Sequence, residues 1–129
     1  MQQSTIKSEQ IIETKTIESL YTNLLSSNIL IFDNIVVNPI VKQSFVFKEI
    51  SFLNVALPTK FYAAYDPCTN FIYINMTRIK GLSFFSEIVN HEIQHFVDFN
   101  DLMKNNSFED SIELFKDPIY EQRANSAQK

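Results

Sequence analysis

The segment His91-Glu92-Ile93-Gln94-His95 places two imidazoles four residues apart, with a carboxylate directly after the first. On a helix, residues four apart share a face with roughly 6 Å between Cβ atoms, so both rings can reach one metal ion. The carboxylate of Glu92 points to the adjacent side, where it can take a proton from a metal-activated water without becoming a ligand. Zinc suits such donors and lowers the pKa of a bound water from about 15.7 toward roughly 7, so metal-assisted hydrolysis at neutral pH is the chemistry expected. At average His and Glu usage, a chain this long contains the pattern by accident about 0.3% of the time. The chain has two histidines in all, and both fall in the motif. The plain alternative is a pair of core or surface histidines on an ordinary helix.

A catalytic zinc takes three protein ligands and keeps one position open. Where the third ligand follows closely on the second His, a glycine turns the chain back; here Phe96-Val97-Asp98-Phe99 follows, without glycine. Asp98 shares a face with His91 but lies about 10 Å along the axis at 1.5 Å per residue, too far for one ion on an unbroken helix. A solvated charge is the expectation for Asp98, with a capping or outer-shell carboxylate as the alternative. Glu121, 26 residues after His95 and on a separate predicted helix, is the better third ligand. Its alternative role is a first-turn carboxylate favoured by the helix dipole. Ala124 allows close packing of that helix on the metal-binding one, and Asn125, one turn from Glu121, is a candidate to fix the tautomer of a ligand His. Glu109, Asp110 and Glu113 compete as ligands but are expected on the exposed side of their own helix. Peptide hydrolysis also needs a donor for the carbonyl oxygen as charge develops on it; Arg123, Tyr120 and Tyr73 are the candidates.

These side chains need a scaffold. Ile17, Leu20, Tyr21, Leu24 and Leu25 follow helical spacing and predict an amphipathic helix within Thr5 to Ser26. Ile29 to Val37 is rich in β-branched residues and reads as a strand closed by Asn38-Pro39. Residues 40–57 hold two apolar groups, read as strand with a bend, with helix as the alternative. Residues 60–65 and 71–76 form a predicted hairpin around Asp66-Pro67-Cys68-Thr69-Asn70, with Ile72, Ile74 and Met76 on one face and Phe71, Tyr73 and Asn75 on the other. The 71–76 strand could accept a substrate as an added strand, or be an ordinary sheet strand. After Gly81, with Ser83 as N-cap, a long helix runs to about Met103 and carries the motif. A loop at 104–107, a short helix over 108–116 and a last helix over 118–128 started by Pro118 complete the chain. The fold class expected is α+β: a small, mostly antiparallel sheet packed on helices, with the motif on the central one.

Composition sets outer limits. A chain of 129 residues with 45% apolar content fits one domain, residues 1–129, and can build a core. A net charge of −4 with eleven scattered basic residues gives no phosphate-binding surface, so no nucleic-acid partner is expected. Cys68 stands alone and is no convincing nucleophile. The opening MQQSTIKSEQ has no basic region followed by an apolar stretch, and no long apolar run occurs, so neither a membrane nor secretion is expected and the cytoplasm is.

The residues His91, Glu92 and His95, then Glu121, Ala124 and Asn125, form H-E-x-x-H followed by E-x-x-A-N, which resembles the ImmA/IrrE-type metallopeptidases. These are small gluzincins encoded by bacteria and mobile elements. Ala64-Tyr65-Asp66 and Ile72-Tyr73-Ile74-Asn75 resemble the hairpin of that family, so the likeness spans about residues 60–127. It implies a Zn2+ cofactor, a Glu third ligand, a zincin-type fold and site-specific cleavage of a protein, often a regulator. Ser126-Ala127 stands where the family has Phe-Ala, and the family's last helix runs on further, which marks a divergent or truncated relative.

The expectation is therefore a zinc peptidase in which Glu92 moves the proton. The alternative from another class is a catalytically inactive metal-binding or interaction module of a phage or mobile element. A purely structural metal calls for four ligands, and the sequence offers three.

Overall fold

The computed structural model describes residues 14–26, 29–32, 50–54 and 61–128. The expected helix start before Thr14, the strand beyond Phe32, most of the 40–57 region and residue 60 lie outside these. The architecture is α+β. Helix α1 (Thr14–Ser26) leads to β1 (Ile29–Phe32), β2 (Ile50–Asn54), β3 (Ala63–Asp66) and β4 (Phe71–Ile74), then a short 3-10 turn at Met76–Arg78. Three helices follow: α2 (Leu82–Leu102), α3 (Phe108–Phe115) and α4 (Pro118–Gln128).

The strands form one sheet in the order β1-β2-β4-β3. β1 pairs antiparallel with β2 and β3 antiparallel with β4, whereas the central β2–β4 pair is parallel, with Phe52 beside Ile72. β4 is thus paired on both sides, and among the described residues β1 and β3 are the outer strands. The hairpin turns at Asp66–Asn70, where both Thr69 and Asn70 donate backbone N–H to the Asp66 carbonyl. Asn70 takes φ of 60°, a left-handed conformation that asparagine tolerates. Alternation along β4 sends Ile72 and Ile74 into the core and leaves Phe71 and Tyr73 half-buried on the opposite face.

The core is a single cluster drawn from α1, the sheet and α2. Ile17, Leu20 and Leu24 of α1 and Phe52, Ile72 and Ile74 of the sheet pack on Phe85, Val89, Ile93, Phe96 and Val97 of α2. Leu25, assigned by its spacing to the apolar face of α1, is exposed instead. α2 begins two residues earlier than an N-cap at Ser83 allows. Gly81 is the N-cap at φ of 90°, and Ser83 falls inside the first turn. The sole glycine of the chain is needed there for its backbone, since a Cβ would meet nothing within 4 Å. Starting early brings Leu82 against the core.

α3 is capped by Ser107, whose Oγ accepts the Asp110 N–H at 3.1 Å, with Glu109 and Asp110 in the first turn. α4 starts with Pro118 at its first position, while the Asp117 carboxylate accepts the Ile119 N–H at 2.9 Å. Ala124, fully buried, is the one α4 residue in the core of the α2–α4 contact, and it lets the two helices approach closely. Among the described residues no helix is long and apolar enough to cross a membrane.

A larger side chain at Ala124 must push α4 away. Ala124→Leu is expected to lower unfolding stability by about 1–3 kcal/mol, read by urea denaturation; an unchanged midpoint would mean the helices are not in close contact there.

Candidate metal centre

His91 and His95 project from one face of α2, their rings edge to face with centroids 4.9 Å apart. Opposite them stands Glu121, in the first turn of α4. Its Oε1 lies 3.1 Å from His95 Nε2 and its Oε2 lies 3.3 Å from His91 Nε2. One ligand atom from each residue falls within a mutual span of 4.8 Å. Two atoms bound at about 2.05 Å to a tetrahedral ion stand roughly 3.3 Å apart, so these three side chains could hold a metal ion.

The two imidazoles are oriented by different means. His91 Nδ1 lies 2.8 Å from Gln128 Oε1, in the last turn of α4. His95 Nδ1 is buried with no partner among the described residues, and its ring is held edge-on by Phe115 at 5.6 Å. Burial lowers the His95 pKa, as does the neighbouring His91, against the opposing pull of Glu121. A lowered pKa favours the neutral ring, the form able to bind a metal.

Glu92 is buried, with Oε2 4.0 Å from His91 Nε2. Burial, reinforced by the nearby Glu121 charge, pushes its carboxyl up to about 8. Both groups line an open cleft of about 430 Å³ together with Ala63, Ala64 and Tyr65 of β3, Phe115, Pro118 and Tyr120.

Asp98 is not a solvated charge. It is buried and accepts three contacts of 3.0–3.1 Å from Arg123 Nε and Nη2, plus a bond of 2.9 Å from Gln94 Nε2. Burial raises its pKa, while Arg123 and Gln94 pull the other way. The bond to Asp98 in turn raises the Arg123 pKa. Arg123 is therefore paired with α2 and is not among the residues that line the cleft. Tyr73 sits in β4 against the Phe71 ring and is not among the residues that line the cleft. Tyr120 does reach the cleft, its ring tilted against Phe115. Asn125 is exposed, and the partner of the His91 imidazole is Gln128 instead. The signal for Gln128 was present: seven residues from Glu121 are two helical turns, so both share a stripe of α4. Glu109, Asp110 and Glu113 are exposed, as their spacing predicted.

No protein-family model matches the chain, no curated protein matches its sequence, and no solved structure matches its fold.

Glu92 gives the metal-free protein a definite pH dependence. Its folded pKa of about 8 lies above the ordinary 4.5, so between these values the native state keeps a proton that the unfolded chain has lost. Stability is expected to fall as pH rises through this window, by at most about 1.4 kcal/mol per pH unit. Urea denaturation of metal-free wild type and Glu92→Gln checks this; parallel pH profiles would show that Glu92 is not held protonated.

Proposed function

We propose that this chain is a zinc-dependent peptidase, with His91, His95 and Glu121 as the protein ligands of the metal and Glu92 as general base. The observation that supports it most is the approach of one Glu121 oxygen to each imidazole, at 3.1 and 3.3 Å. A set of two imidazoles and one carboxylate is that of a hydrolytic zinc with an open position, where a structural zinc takes four protein ligands. Zinc bound there would polarise a carbonyl and acidify a water.

The remaining work falls to the chain. Glu92 lies beside the ligand set on the cleft wall, where its carboxylate can accept a proton and pass it to the leaving amine. Positive charge in the cage draws Glu92 back toward its ionised form, against the burial that raises it. Tyr120 is the candidate that reaches the cleft to donate to the carbonyl oxygen. An extended peptide adds to β3 in this reading. The 71–76 strand cannot take it, because β4 is paired on both sides, whereas β3 has one strand partner among the described residues and lines the cleft. The likeness of His91-Glu92-x-x-His95 and Glu121-x-x-Ala124-Asn125 to ImmA/IrrE-type peptidases supports a protein substrate. Cys68, an exposed free thiol, suits a reducing compartment, and the cytoplasm is the proposed place of action.

Metal content and turnover separate the possibilities. Wild type is expected to carry one zinc; Glu121→Ala should lose it, while Glu92→Gln should keep it and lose cleavage of a peptide library by about 100-fold or more. Full zinc in Glu121→Ala would remove the third ligand. Zinc retained with no cleavage by wild type would make the protein a metal-binding module.

A further inference from the structure

We infer that Gln128 is a positioning residue that holds the His91 imidazole in the tautomer presenting Nε2 to the metal; this rests on the metal-site reading above. A neutral imidazole can bind a cation through Nε2 only when its proton sits on Nδ1. With nothing to hold it, the proton exchanges between the two nitrogens, and the ring is part of the time closed to metal. Here Gln128 Oε1, which can only accept, lies 2.8 Å from His91 Nδ1. That contact favours the proton on Nδ1, against the pull of Glu121 Oε2, which lies 3.3 Å from Nε2. Two lone-pair bearers in that arrangement repel, and a cation between them reverses the sign of the interaction.

Gln128 matters more because the second ring lacks an equivalent. His95 Nδ1 has no bonding partner among the described residues and is steered by the Phe115 ring. One helix therefore supplies both a ligand, Glu121, and the group that prepares another ligand, two turns further on. The register of α4 against α2 sets both at once. A Gln turned by 180° about its amide would donate to Nδ1 instead, force the proton onto Nε2 and close the site, so the test has a definite alternative to exclude.

Ring nitrogen shifts of His91, measured by NMR on metal-free protein at pH 8.5, read the tautomer. Competitive chelator titration with zinc reads the affinity. Wild type is expected to carry the proton on Nδ1, and Gln128→Glu, which keeps an acceptor oxygen, to do the same. Gln128→Ala should shift the ring toward the Nε2-protonated form and bind zinc about 10–100-fold more weakly. A wild-type ring protonated at Nε2, or a His91 signature unchanged in Gln128→Ala, overturns the inference whatever the zinc titration gives. A wild type that binds no zinc ends the peptidase reading, while the ring shifts still decide the role of Gln128.

Discussion

Helix α4 has almost no apolar face, yet the site exists only where α4 lies against α2. Its fully buried side chain is Ala124, with Ala127 packed at the edge of the core. Apolar contact through such small groups permits close approach but sets rotation and register weakly. Directional polar bonds do that instead. Arg123 reaches Asp98, Glu121 reaches both imidazoles, and Gln128 reaches His91. The Asp98–Arg123 pair has one half-exposed member, and pairs of this kind contribute little net stability. Its effect is on specificity: a slip by one residue would leave the buried Asp98 unpaired and carry Glu121 away from the rings.

The same helix α2 is buried on nearly all sides and yet carries several polar side chains. Asn90, Glu92, Gln94, Asp98 and Asn100 are all buried. Asn100 donates to the Phe96 carbonyl at 2.8 Å within its own helix, and Gln94 bonds Asp98. A buried polar group that finds partners costs little, and one that does not costs a great deal. Glu92 is held against its ordinary ionisation by burial and by the Glu121 charge beside it. Such tension is common where charge is to be introduced from outside, and it agrees with a cation site on this face.

The cleft in front of the site is a product of three elements remote in sequence. Tyr65 of β3 stands edge-on to Phe96 and Phe115, and its hydroxyl donates to Asn70 Oδ1 at 2.6 Å. That bond ties β3 to its own turn, while the ring ties it to α2 and α3. Phe115 also stacks on Phe99 and Tyr120. This aromatic cluster sets the distance between β3 and the imidazoles, and hence the width of the cleft.

Local patterns in the sequence carried much of this. The spacing of His91 and His95 placed both rings on one face, alternation in 71–74 sent Ile72 and Ile74 inward, and Asp117-Pro118 started the last helix where it is found. Each depends on neighbours within one or two turns or on the pleat of one strand, so periodicity alone decides it. What depended on distant partners was read less well. Asp98 looked solvated because its partner lies 25 residues away, and Arg123 looked free for chemistry for the same reason. Asn125 and Gln128 both share the stripe of Glu121, and only the packing of α4 on α2 decides that Gln128 meets His91. Strand pairing, too, was open: only the parallel placement of β4 beside β2 made β3 an outer strand among the described residues. A chain encodes which residues share a face; which face meets which is settled when helices and strands pack, by the closest approach that Ala124 allows and by the polar groups that must find partners.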